Sequence, residues 1–295
     1  MAPPRLIFLV SVAMLAFAGN SLLCRLALKH TSIDAATFTT IRLISGACML
    51  WLVVQWQRRN DSAVRAAKPT LAGNWTSALA LFIYAAGFSF AYISMSAATG
   101  ALLLFGAVQV TMIGYGIYQG ERLQAMQSLG FALALAGLVV LMLPGLATPS
   151  LSASLSMLGA GLAWGVYSLR GKAKQQAGEN DATTVTAGNF IRTVPMALAL
   201  SLLMMSRLSL DLNGILFAIA SGALASGIGY AIWYQALPAL SSTHAATVQL
   251  SVPVIAALGG VVFIGETLTL PMMLASGAIL GGIALVILKK TGARG

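Results

Sequence analysis

Few residues in this chain are of a kind that breaks and makes bonds. Its 295 residues hold seven Asp and Glu, two His and two Cys, against seventeen Lys and Arg. The histidines, His30 and His244, lie far apart in sequence, and no acid falls in the middle of an apolar run. That set offers neither a nucleophile–base pair nor a metal cluster. Cys24 and Cys48 have no metal-ligand spacing and read as small packing residues. The chain does not read as an enzyme, and no catalytic residue, metal or cofactor is expected.

The apolar runs do carry uncharged polar and aromatic groups. Tyr230, Trp233 and Tyr234 stand at i, i+3 and i+4, on one helical face. Tyr84, Phe88 and Tyr92 recur every four residues. Asn20, Gln109, Trp164, Tyr167 and Gln249 add hydrogen-bonding groups at depths where an unpaired amide is costly. Singly, each fits bundle packing. Together they describe a pocket apolar enough for a ring, with neutral groups for an ammonium and a carboxylate. His244 titrates in a useful range, although a lone histidine also serves as a hydrogen-bonded packing residue. The expected substrate-binding set is Asn20, Tyr84, Phe88, Gln109, Trp164, Tyr167, Tyr230, Tyr234, His244 and Gln249.

Arg42 and Arg192 are the charged residues that fall well inside apolar runs. Arginine at such depth costs roughly 2.5–3.5 kcal/mol on insertion scales, so it must snorkel, pair or face water. Arg42 follows Asp34 by about 12 Å of helix. It is open to two readings: a snorkelling or gate-pairing charge near the outer surface, or the holder of a substrate carboxylate.

These residues need a scaffold, and the composition says which kind. The chain is 58% hydrophobic and 8% charged, with a mean hydropathy of +0.87. A soluble domain carries about 25% charged residues, so the bilayer must be the solvent for most of this one. Ten apolar runs predict helices over Leu6–Leu28, Ala35–Gln55, Asn74–Met95, Thr99–Tyr118, Met126–Leu143, Ser154–Leu169, Thr183–Met205, Leu212–Ala236, Ser242–Ile264 and Leu270–Leu288. They do not alternate as barrel strands do. Ala16-Phe17-Ala18 resembles a cleavage site, but the first run continues to Leu28 and reads as a span. The fold class is an all-α integral membrane protein with ten spans.

Charge sets the orientation. With the N-terminus in the cytoplasm, twelve basic residues fall inside, among them Arg58, Arg59, Arg122 and Arg170. Only Arg25, Lys29 and Arg207 lie near the outer ends. Both termini are then cytoplasmic. The net charge of +10 thus reflects topology and not nucleic-acid binding.

The chain also repeats. A shift of 145 residues lays Gly120-Glu121 on Gly265-Glu266, and Gly137 on Gly282. A shift of 147 lays Ala16-Phe17 on Ala163-Trp164, and Ser21 on Ser168. Asp34 and Asp181 then open the second and seventh spans, with Arg42 and Arg192 in register after a three-residue gap. Glu121 and Glu266, ahead of the fifth and tenth spans, read as caps of those helices. Two five-helix halves, residues 1–146 and 147–295, must enter the membrane from opposite faces because five is odd. Such an inverted repeat puts a site between halves near the midplane and permits alternating access. Small-residue pairs at Gly277 and Gly281, Ala132 and Ala136, and Gly222 and Ser226 mark expected close helix contacts.

The stretch Ser251-Val252-Pro253-Val254-Ile255-Ala256-Ala257, then Gly265-Glu266-Thr267-Leu268-Thr269 and Gly281-Gly282, resembles the second repeat of the drug/metabolite transporter superfamily, EamA type. Gly120-Glu121-Arg122-Leu123, Gln127, Gly130 and Gly137 match the same pattern in the first half. Within the superfamily, Gly100 through Gln109 resembles bacterial exporters of aromatic amino acids. One departure is that the fourth span lacks a counterpart to Pro253.

The resemblance implies export of amino acids, aromatic ones first, and related metabolites. The absence of a mid-span carboxylate argues against strong proton or sodium coupling. The alternatives are a multidrug or other metabolite exporter of the same superfamily and, further off, a membrane-embedded enzyme. The expected partners are the small-molecule substrate and the lipid bilayer, with no nucleic acid, and a monomer suffices.

Overall fold

The computed structural model describes residues 3–60, 72–120, 122–142, 150–176, 182–240 and 248–291. They form ten helices: α1 (Pro3–His30), α2 (Ala35–Asn60), α3 (Trp75–Tyr92), α4 (Ala97–Tyr118), α5 (Ala125–Met142), α6 (Leu151–Gln176), α7 (Ala182–Leu203), α8 (Leu212–Ala236), α9 (Ser251–Ile264) and α10 (Leu270–Thr291). There is no strand among the described residues. Seven of the helices, α1–α5, α7 and α8, are long and apolar enough to cross a bilayer. Large apolar side chains cover the outside, including Leu202, Leu203, Val262 and Phe263, each about 70% exposed or more. Lipid, not water, is the solvent such a surface fits.

Helix starts follow local capping chemistry. The Asp34 carboxylate accepts from the backbone N–H groups of Ala36 and Thr37 at the head of α2, and from that of Ser209 before α8. Partial burial pushes this carboxyl up, but hydrogen bonds from Thr37, Ser209 and Ala36 outweigh it and hold it below the ordinary range. Asn74, Ser96 and Asp211 cap α3, α4 and α8 through their side-chain oxygens. Gly120 and Gly265 turn the chain at φ +90° and +68°, a left-handed conformation that glycine adopts without strain. Glu121 and Asp181 lie outside the described residues.

Three expectations need correction. Glu266 does not cap α10. Its Oε2 accepts from the N–H of Ala97, at the start of α4, and its Oε1 from Arg25 Nε at 3.0 Å. The carboxylate at that turn reaches sideways to two neighbouring helices, where a backbone N–H and a guanidinium both meet it. Second, the predicted span Ser242–Ile264 is interrupted by a turn at Leu250, between the helical Val248 and Gln249 and α9, while residues 241–247 lie outside the described residues. Pro253 has no N–H to give the Gln249 carbonyl four residues back. The Ser251 hydroxyl instead satisfies the Val248 carbonyl at 2.6 Å.

The third correction concerns small residues. A methyl group on Gly277 or Gly281 would meet nothing within 4 Å, and Ala132 and Ala136 are exposed. The tight seam between α5 and α10 uses Gly130, Ala134 and Gly137 against Ala275, Ile279 and Gly282. There a Cβ on Gly282 would stand 2.5 Å from the Gly130 carbonyl, and one on Gly130 would stand 2.6 Å from the Gly282 carbonyl. Of the three predicted pairs, Gly222 with Ser226 does face a neighbour, for Gly222 abuts the Arg42 carbonyl of α2.

The packing has an exchange pattern. Helix α6 packs against α3 and α4, while α1 packs against α8 and α9. Helix α2 packs on α7 and on the middle of α8, and α3 likewise packs on α7. Helices α5 and α10 pair at the edge, and α4 meets α9. Swapping the first five helices with the last five maps each of these contacts onto another or onto itself.

Adjacent glycines in α10 give a direct check. Gly282→Ala places a methyl group against backbone and should cost roughly 1–3 kcal/mol as overpacking does, read as a lower melting temperature in detergent. Gly281→Ala should be neutral or slightly stabilising, because open helical positions favour alanine.

Candidate functional site

Between the helices lies a small cavity of about 20 Å³, lined by Phe17, Asn20, Ser21, Tyr84, Phe88, Leu104, Phe105, Trp164, Ala225 and Tyr230. These come from α1, α3, α4, α6 and α8. Each is brought inward by the packing just described, with α1 held between α8 and α9 and α6 between α3 and α4. Gly161 and Gly165 let α6 approach Leu104, Ala107 and Thr111 of α4 closely, which carries Trp164 to the cavity wall.

The wall is aromatic. Trp164 has ring neighbours in Tyr84 at 4.8 Å, Tyr230 at 5.1 Å and Tyr167 at 5.5 Å. Phe17 meets Tyr230 edge-on at 5.7 Å, and Tyr84 leans on Phe88 at 5.5 Å. Such arrangements match the ring quadrupole and add to the burial of the rings.

One hydroxyl organises the polar side. Tyr84 Oη accepts from Asn20 Nδ2 at 3.2 Å and from Arg42 Nη2 at 2.9 Å. Asn20 Oδ1 in turn accepts from Ser221 Oγ at 2.6 Å. Ser221 belongs to a π-helical stretch, Ala220–Ile228, in the middle of α8. Wider turns of this kind displace the helix face and occur often at functional sites. Here the stretch presents Ser221 and Ala225 to the site while Gly222 lets the backbone close on α2.

Arg42 does not snorkel. It is 2% exposed, and its guanidinium carbon lies 4.8 Å from the Phe88 ring centre and 5.3 Å from that of Tyr84. It therefore sits beside the cavity wall, held by cation–π contacts and one hydrogen bond. Arg192 has a different post. Its Nη1 donates to the carbonyls of Ala72 and Gly188, tying α7 to the segment before α3.

Five of the ten expected binding residues, Asn20, Tyr84, Phe88, Trp164 and Tyr230, line this cavity together. Tyr167 stacks behind Trp164 and accepts from Asn189 Nδ2 at 3.3 Å. Gln109 is buried within α4, Tyr234 is partly buried in α8 and Gln249 lies at the turn before α9, all outside this lining. His244 lies outside the described residues. Phe17 and Ser21, which sequence reasoning used only to align the repeat, belong to the lining.

A second polar cluster centres on Arg25 and Glu266. Arg25 donates to Glu266 at 3.0 Å and to the Tyr92 and Ile93 carbonyls at 2.9 and 3.1 Å. The pair is nearly buried, with side chains 11% and 7% exposed. It joins α1, the end of α3, the start of α4 and the α9–α10 turn.

An all-helical bundle with seven apolar candidate spans and a small aromatic and polar cavity among its helices defines a membrane protein. The model of the EamA-like transporter family matches residues 151–288 of this chain. A Pseudomonas aeruginosa protein, the uncharacterized PA1977, is 51% identical over 288 residues, 98% of this chain and 96% of that one. The threonine/homoserine exporter RhtA of Escherichia coli K12 is 31% identical over 138 residues, 45% of each chain. A probable amino-acid metabolite efflux pump of Salmonella typhimurium is 28% identical over 199 residues, 64% of this chain and 67% of that one. A solved crystal structure shares the fold at TM-score 0.67 and 18% identity, over 99% of this chain and 100% of the other.

The Tyr84 hydroxyl can be tested directly. Tyr84→Phe leaves two buried donors, one of them charged, without their acceptor. It should destabilise the protein by roughly 1–3 kcal/mol, measured by thermal melting in detergent, whereas Tyr234→Phe should shift the melt less.

Proposed function

We propose that this protein exports amino acids across the inner membrane by alternating access, with aromatic amino acids the preferred class. The observation that carries the reading is a relation between cavity residues. The 147-residue shift lays Phe17 on Trp164, and a shift of 146 lays Tyr84 on Tyr230. All four line one chamber, two from each half. That is what an inverted repeat with a shared site requires. The exchange pattern of helix contacts supports the same reading, as does the reciprocal approach of Gly130 and Gly282.

On this reading all ten helices span the membrane, residues 1–146 and 147–295 form the two repeats, and both termini are cytoplasmic. Rocking of one half against the other exposes the chamber to each side in turn. The aromatic wall favours a planar ring. The neutral polar groups suit a zwitterion, whose charges cancel overall, so one protein molecule suffices as the working unit. No carboxylate stands among the cavity-lining residues, which supports flow set by the substrate gradient.

A second reading has its own support. The relative named for threonine and homoserine export places small hydroxylated amino acids beside aromatic ones as candidates. Purified protein in liposomes separates them. Radiolabelled phenylalanine or tryptophan should equilibrate faster than threonine. Faster threonine movement favours the second reading, and movement of a cationic dye alone sinks both.

Trp164→Ala should slow phenylalanine transport at least tenfold, with expression and melting temperature near wild type. Unchanged transport would remove Trp164 from the substrate path. An imposed pH gradient should not drive uphill accumulation, and uphill accumulation abolished by His244→Ala would establish coupling instead.

A further inference from the structure

Arg42 holds a hydrogen-bonding group that its surroundings leave unmet. Nη2 donates to Tyr84, but Nη1 is buried and has no partner among the described residues. The three described carboxylates are engaged elsewhere: Asp34 caps α2, Asp211 caps α8 and Glu266 binds Arg25. The Phe88 and Tyr84 rings attract the cation through their faces. A ring face does not replace an oxygen acceptor in the guanidinium plane. A buried ionised donor without such an acceptor is among the costliest features a fold retains.

The other half of the chain answers the same position differently. The 147-residue shift lays Arg42, without a gap, on Asn189. Asn189 is engaged through both ends of its amide. Its Oδ1 accepts from the Asn74 N–H at 2.9 Å and its Nδ2 donates to Tyr167 Oη. The neutral residue is built into the scaffold, and the charged one is not fully. Ser21 Oγ is a second buried polar atom without a partner, and it lines the cavity that Tyr84 and Phe88 wall.

We propose that Arg42 receives a carboxylate brought by the substrate, with Ser21 Oγ as a further polar contact. The assignment rests on the export reading above and narrows it. The carboxylate, and not the amine or the ring, is the group the site demands. The guanidinium fork takes two carboxylate oxygens side by side. With Nη2 already committed to Tyr84, binding engages Nη1 first. Amides and esters of the same carbon skeleton offer Nη1 only a neutral carbonyl oxygen and bind more weakly, and the amine offers no acceptor oxygen.

The test uses full-length protein in liposomes, with phenylalanine uptake competed by unlabelled phenylalanine, phenylalaninamide and phenylalanine methyl ester. The free acid should compete roughly ten- to hundred-fold better than the amide or ester. Arg42→Gln should erase that preference and Arg42→Lys retain part of it. Equal competition by all three in the wild type overturns the assignment and leaves amino-acid export standing. If Arg42→Gln does not fold, the wild-type competition series decides alone. If no amino acid moves, the export reading fails, and the carboxylate assignment is judged separately. Phenylacetate should then raise the melting temperature of the purified protein where phenylacetamide does not. Equal shifts, or none, overturn it.

Discussion

Inside a bilayer nothing but the protein can satisfy a polar group, and the structure is arranged around one place where that is done with economy. The Tyr84 hydroxyl accepts one hydrogen bond from Asn20 and another from Arg42. Asn20 passes the connection on to Ser221. Four helices, α1, α2, α3 and α8, are thereby joined through neutral and cationic groups that would each be costly alone. The contact between α2 and α8 at Gly222 and the wider turns around Ser221 both serve this junction. Remove that acceptor and two helices, α1 and α2, carry unmet buried donors.

How much of this was legible in the sequence depended on the physics that left a mark. Length and apolarity fixed the ten helices almost everywhere, since lipid leaves few other solutions. The aromatic repeats on α3 and α8 and the amide in α1 marked the cavity, because polar and aromatic groups at depth must face one another. The phase of each helix was much less visible. With apolar residues all round, α10 gives no pattern to tell Gly281, which faces open space, from Gly282, which touches α5. Periodicity cannot rank two faces that differ only in what lies opposite.

Contacts across long sequence separations were hidden for another reason. Glu266 reads as a cap for the helix that follows it, and the rule is sound where no closer N-terminus exists. Here the start of α4 is closer, and Arg25 supplies the counter-charge from a helix far earlier in the chain. Of the two readings open for Arg42, snorkelling loses to two ring faces and a hydroxyl already in reach. The π-helical stretch left only its glycines as a trace.

The departures from symmetry bear on how such a protein would work. On the proposed inverted repeat, the two end states of the cycle exchange the roles of the halves, and perfect likeness would make them equal in energy. The halves differ at three points. Helix α9 breaks at Leu250 ahead of Pro253, and α4 has no such proline. Helix α8 carries a π-helical stretch, whereas α3 is regular. An ungapped 147-residue shift sets Asn189 opposite Arg42, whose arginine counterpart, Arg192, comes three residues later. The last difference lies nearest the cavity and is the one that carries charge. A substrate held by Arg42 travels with the first half, so its binding energy acts on α2 and, through Tyr84 and Gly222, on α3 and α8. The chamber is shared, but the grip on what passes through it belongs to one side.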